Sequence, residues 1–81
     1  MRIQVKLFAI LRDQADRSET TLDLPEGATV QQARGRLIES VPAIASYMDH
    51  VAFAINLSYA LPDSVLHDGD ELAVLPPVSG G

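Results

Sequence analysis

Only one stretch of the sequence carries a long helical stripe, and it sits between two regions with strand periodicity. Val30, Ala33, Leu37, Ile38 and Val41 recur at the spacing that places them on one face of an α-helix. Thr29-Val30-Gln31-Gln32 ahead of them has the spacing of a capping box, in which the Thr29 hydroxyl and the Gln32 amide satisfy open backbone N–H groups. Pro42 closes the helix, because the residue before a proline is pushed out of the α region. Gly35 weakens it by about 1 kcal/mol relative to alanine, and close approach to a sheet would account for a glycine there.

The flanking segments read as strands. From Met1 to Phe8 apolar and polar residues alternate, with Ile3, Val5 and Leu7 facing one way and Gln4, Lys6 and Phe8 the other. Phe8 is thus an aromatic on the polar side. Ala9 to Asp16 reads as a short helical turn and a loop, and Thr20 to Leu24 as a second strand forming a hairpin with the first. Pro25-Glu26-Gly27 is turn chemistry. After the helix, Ala43 to His50 fits one short helix, and Val51 to Ile55 a third strand with Val51, Phe53 and Ile55 inward. Tyr59-Ala60-Leu61 follows as a short fourth strand, between turns at Asn56-Leu57-Ser58 and Pro62-Asp63-Ser64. Leu66 to Glu71 makes an acidic turn into the last strand, Glu71 to Leu75, where Leu72 and Val74 point inward and Ala73 and Leu75 outward.

One helix on a mixed sheet of four to five strands is the compact way to bury these faces. The first and last strands are then expected side by side and parallel. This is an α+β arrangement of the β-grasp, or ubiquitin-like, kind, spanning residues 1–75, with residues 76–81 as an extended, flexible C-terminal tail. At 81 residues and 47% hydrophobic, the chain can build a small core without metal or disulfide. With no cysteine it has neither disulfide, thiolate zinc site nor cysteine nucleophile. A net charge of −5 argues against nucleic acid. No apolar run has the length of a membrane span and no signal-peptide pattern is present, so the expected location is the cytoplasm.

The body offers no catalytic constellation. His50 and His67 lack metal-site spacing. Asp68-Gly69-Asp70-Glu71 lacks the spaced ligands of a calcium loop and reads as a turn. Asn56-Leu57-Ser58 matches a glycosylation sequon but has no secretory context, and none of Ser18, Ser40, Ser58 and Ser79 has an elbow or base at recognisable spacing. No metal ligands are expected.

The distinctive feature is Leu75-Pro76-Pro77-Val78-Ser79-Gly80-Gly81. Two prolines stop a strand and make a semi-rigid spacer. Two residues without a Cβ then present an unhindered carboxylate that can enter a narrow channel. If chemistry belongs to this chain, it belongs to that terminus. Phe8, Leu75 and Tyr59 are expected on the sheet face away from the helix, near the tail, as a docking surface.

With those residues in view the chain resembles the small sulfur-carrier subunit of molybdopterin synthase, the MoaD family, over its full length. The resemblance rests on Leu7-Phe8-Ala9 with Arg12 beyond, Ala54-Ile55-Asn56, Leu66 with Asp68-Gly69-Asp70-Glu71, and Pro76 to Gly81. The family often has an aromatic just before the double proline, where this chain has Val74-Leu75. The resemblance implies a sulfur carrier in molybdenum cofactor synthesis that binds no cofactor and is not an enzyme alone. Its reacting end would be Gly81, preceded by Gly80, carrying first an acyl-adenylate and then a thiocarboxylate. A MoeB-like adenylating enzyme would supply ATP and Mg²⁺, and a sulfur donor protein a persulfide. Sulfur would pass to cyclic pyranopterin monophosphate in a heterotetramer of two small and two large synthase subunits, whose large subunit builds the pocket. Phe8, Arg12, Tyr59, Leu75, Pro76, Pro77, Val78 and Ser79 would meet these partners. Three alternatives share the pattern: a thiamine-pathway sulfur carrier, a ubiquitin-like modifier joined to lysines, and an interaction module with an inert tail.

Overall fold

The computed structural model describes residues 1–77. In chain order the elements are β1 (Arg2–Leu7), α1 (Ala9–Ala15), β2 (Glu19–Asp23), α2 (Val30–Ser40), a 3₁₀ helix (Pro42–His50), β3 (Ala52–Ile55), β4 (Ser58–Ala60) and β5 (Glu71–Leu75). They build one five-stranded mixed sheet in the order β2-β1-β5-β3-β4. β1 and β5 are parallel, with Leu7 opposite Val74, and the other three pairings are antiparallel. The β-grasp arrangement expected from the sequence is the one present.

The period-two faces sort as the alternation predicts. Ile3, Val5 and Leu7 of β1, Leu22 of β2, and Leu72 and Val74 of β5 are buried on the helix side of the sheet. Against them pack Val30, Ala33 and Leu37 of α2, with Val41 just past its end and Ile44 and Met48 from the 3₁₀ helix. Each such valine, leucine, isoleucine or methionine side chain, fully buried, contributes about 1.5–3 kcal/mol from apolar area removed from water. Ile38 and Phe53, partly buried, close the margins.

The capping box forms: the Thr29 N–H donates to Gln32 Oε1 at 2.9 Å, and the Thr29 hydroxyl accepts from the Gln32 N–H at 3.3 Å. Two further N–H groups of the first turn donate to a distant loop, Val30 to the Ser64 carbonyl and Gln31 to that of Pro62. The start of α2 is thereby pinned to the segment leading into β5. Its middle is tied to the 3₁₀ helix by Arg34, whose guanidinium donates to the Met48 carbonyl at 3.2 Å.

Three expectations are corrected. Ala9 to Asp16 is not a turn and a loop but a two-turn helix over Ala9–Ala15, because Leu11 and Ala15 find the core and the Asp16 N–H caps the Arg12 carbonyl from a left-handed conformation. The β1–β2 hairpin is consequently a strand pair with a helix in its connection. Phe8 does not end the first strand but is the extended residue ahead of α1. Gly35 makes no close approach to the sheet: it is exposed, and a Cβ built on it meets nothing within 4 Å.

Candidate functional site: the launch point of the C-terminal tail

β5 is the middle strand, so the chain leaves the sheet at Leu75 with structure on both sides. On the β1 side, the register pairing Leu7 with Val74 makes Phe8, just past the end of β1, and Leu75, the last residue of β5, the next along each chain. On the other, Leu75 pairs with Ala52, which follows the 3₁₀ helix. The prolines that stop β5 therefore emerge between the first turn of α1 and the end of the 3₁₀ helix. Pro76 and Pro77 line a shallow cavity of about 430 Å³ together with Ile10, Ser46, Tyr47 and His50. The semi-rigid spacer thus starts from a supported base. Val78, Ser79, Gly80 and Gly81, the tail residues singled out in the sequence, lie outside the described residues.

Backbone strain sits beside this point. Ala9 takes φ +52, a left-handed conformation that costs a residue with a Cβ about 1–2 kcal/mol. It lies between Phe8 and Ile10, which are 41% and 37% exposed although both are large and apolar.

The sheet face away from α2 is apolar in the middle. Register places Lys6, Ala73, Ala54 and Tyr59 in one row across four strands. Ala73 and Ala54 are buried there, small side chains flanked by a lysine and a tyrosine, whereas Tyr59 is 84% exposed. Phe8 and Leu75 come together at the launch point. Tyr59 shares the face of Leu75 but stands two strands away, about 10 Å at ordinary strand spacing. Arg12 is not on the sheet: it lies one turn beyond Phe8 on α1, its guanidinium 3.9 Å from the Asp13 carboxylate. Ile10, Tyr47 and His50 were missed in the sequence. Ile10 was detectable as an apolar neighbour of Phe8, but no local signal brings Tyr47 and His50 to a strand that ends at Leu75.

The rim of this face is charged and ordered. Lys6 Nζ donates to Glu19 Oε1 and lies 3.9 Å from Glu71 Oε1. The hydrogen bond with Glu19 raises the Lys6 pKa above its usual value, and the same bond holds the Glu19 carboxyl below the usual glutamate value. At the far end of β5 the acidic segment is a turn, as its sequence indicated. Gly69 takes φ +86 and its N–H donates to the Arg2 carbonyl. Asn56 crosses to that turn, donating from Nδ2 to Asp70 Oδ1 at 2.9 Å and accepting from the Glu71 N–H at 3.0 Å.

A mixed β-grasp sheet with its middle strand running into a proline-stiffened terminus, beside an exposed apolar face, defines a ubiquitin-like protein. The chain belongs to the ThiS family, whose model matches residues 5–81. It is 40% identical to the molybdopterin synthase sulfur carrier subunit of Chlamydomonas reinhardtii, over the whole of both chains. Among solved structures it is similar to SAMP1, the small archaeal modifier protein 1 of Haloferax volcanii, at 34% identity and a TM-score of 0.92 over the whole of both chains. It is also similar, at 21% identity and a TM-score of 0.72 over both chains in full, to a chain in a complex of subunits 1 and 2 of the molybdopterin-converting factor of Helicobacter pylori. That likeness is one of fold. Among the described residues, no helix is long and apolar enough to cross a membrane.

Proposed function

We propose that this protein is the sulfur carrier of molybdopterin synthesis, with the Gly81 carboxylate as the carrying group. The observation that carries the reading is full-length similarity to a molybdopterin synthase sulfur carrier subunit, in a chain whose middle strand delivers a Pro-Pro-Val-Ser-Gly-Gly end from a supported base. A carboxylate is a poor electrophile. Adenylation by a MoeB-like enzyme with ATP and Mg²⁺ supplies AMP as leaving group, and a persulfide sulfur then displaces it to leave a thiocarboxylate on Gly81. That sulfur is a nucleophile needing a pocket around its acceptor, and transfer to cyclic pyranopterin monophosphate takes place on a large synthase subunit, in an assembly of two small and two large subunits. Gly80 and Gly81 thread that pocket with no side chain to obstruct it. Phe8, Leu75 and Tyr59 supply the apolar docking face, and Arg12 a charged contact at its margin.

The test is the intact mass of the protein after incubation with the adenylating enzyme, ATP and a sulfide source. The expected gain is that of exchanging one oxygen for sulfur, localised to Gly81, and it is lost on deleting Gly81 or appending a residue after it. No gain, with the enzyme active on another carrier, overturns the reading. A second reading, a modifier joined to amines, is favoured by the likeness to SAMP1. It predicts amide-linked conjugates of the Gly81 carboxyl in place of a thiocarboxylate.

A further inference from the structure

The sequence has six cationic side chains, of which five are arginines and only Lys6 is a lysine, and it has no cysteine. Arginine keeps its proton, so Lys6 is the one side chain able to act as an amine or thiol nucleophile. Its position is exposed to that chemistry. Lys6 pairs with Ala73, two residues before β5 ends at Leu75. The six residues from Pro76 to Gly81 can span up to about 20 Å. The chain's only lysine therefore stands beside the strand that launches its reacting end.

Three strands converge on that lysine. Glu19 is its direct partner on β2 and accepts its hydrogen bond, and Glu71 of β5 adds a second carboxylate at 3.9 Å. Gln4, two residues along β1, donates from Nε2 to Glu19 Oε2 at 3.2 Å and steadies that carboxylate. We propose that Glu19 and Glu71 form a clamp that holds Lys6 as a non-nucleophilic ammonium, reserving the activated Gly81 acyl group for sulfur. This rests on the carrier reading given above.

The reaction being suppressed is aminolysis. An unprotonated Lys6 Nζ would attack the Gly81 acyl carbon of the adenylate, forming a C–N bond as the C–O bond to AMP breaks and the amine proton leaves to solvent. A hydrogen-bonded ammonium has no lone pair for that attack. The raised proton affinity of Lys6 and the depressed one of Glu19 agree in direction with such a clamp.

Two measurements test it. Competitive labelling with limiting acetic anhydride at pH 8, against an added lysine peptide, reads Lys6 reactivity with no activating enzyme present. Lys6 of the wild-type protein is expected to label several-fold more slowly than the peptide, and Glu19→Gln/Glu71→Gln to bring it to the peptide's rate, since a higher proton affinity leaves less free amine at fixed pH. Equal labelling of wild type and double variant overturns the inference, whatever the activation assay gives. In the second measurement the full chain is incubated with adenylating enzyme and ATP but no sulfur source. The double variant is expected to yield a Lys6–Gly81 amide, seen as loss of one water or as a covalent dimer, and Lys6→Arg in that background to abolish it. Self-linking of the wild type at the same rate, or none in a double variant that still releases pyrophosphate, also overturns the clamp. Failure of the wild type to release pyrophosphate strikes the carrier reading instead, and the acetylation result then decides the clamp alone.

Discussion

Asn56 joins two turns that are far apart in sequence, and replacing it separates two contributions to stability. It opens the β3–β4 turn with φ +48, followed by Leu57 at φ +72, so both central residues are left-handed. Asparagine tolerates that region better than most residues with a Cβ. Its side chain also makes the two hydrogen bonds to Asp70 and Glu71 that hold the turn before β5. Asn56→Gly keeps the backbone conformation and removes both bonds. At about 0.5–1.5 kcal/mol per bond, and at the low end for exposed groups, the expected loss is about 1–2 kcal/mol. Asn56→Ala removes the same bonds and adds a left-handed alanine, for a further ~1 kcal/mol. With about 4–8 °C per kcal/mol for a domain of this size, Asn56→Gly should lower Tm by roughly 4–16 °C and Asn56→Ala by several degrees more. Thermal unfolding followed by circular dichroism, with urea titration as a second measure, reads both. A glycine variant within 0.5 °C of wild type would show the cross-turn bonds to be without net effect. An alanine variant no worse than glycine would refute the backbone contribution.

Gly35→Ala should stabilise the protein by about 0.5–1 kcal/mol, because the helix gains alanine propensity and the new methyl meets nothing within 4 Å; a raised urea midpoint at unchanged slope checks it. The Lys6–Glu19 pair sets the sign of two pH effects. Glu19 is depressed in the folded state, so its contribution is present above the usual glutamate pKa of 4.5 and lost as pH falls through the lower folded value. Lys6 is raised, so its contribution is present below 10.5 and lost as pH rises through the higher folded value. Comparing Glu19→Gln with wild type across pH should show a difference near neutrality that shrinks at both extremes and at high salt; a difference independent of pH would refute the pairing.

Much of the frame was legible because it depends on periodicities that the chain carries locally. A period of two at Ile3, Val5 and Leu7, a helical stripe from Val30 to Val41, a capping box at Thr29 and a proline at 42 each fix an element without reference to the rest. The launch strand was legible for the same reason, since Leu72 and Val74 alternate with Ala73 and Leu75 up to the double proline. α1 was not: seven residues with only Leu11 and Ala15 buried make too little stripe, and packing against the core decides the helix. Gly35 misled because a glycine in a helix has the same propensity cost whether it faces a sheet or water.

By itself the sequence determined that one helix lies on a mixed sheet, that the last strand ends in a proline-stiffened Gly-Gly terminus, and that the chain has a single lysine and no thiol. Only the tertiary structure decided what surrounds the point where that terminus leaves. β5 occupies the middle of the sheet because residues 71–74 pair with residues 4–7 on one side, as the sequence led one to expect, and residues 72–75 pair with residues 52–55 on the other, which no local pattern encodes. From the two pairings together follow the meeting of Phe8 with Leu75, the base that Ile10, Tyr47 and His50 give the prolines, and the position of Glu71 beside Lys6. Side-chain alternation states which face a residue takes; long-range pairing states which residues share it.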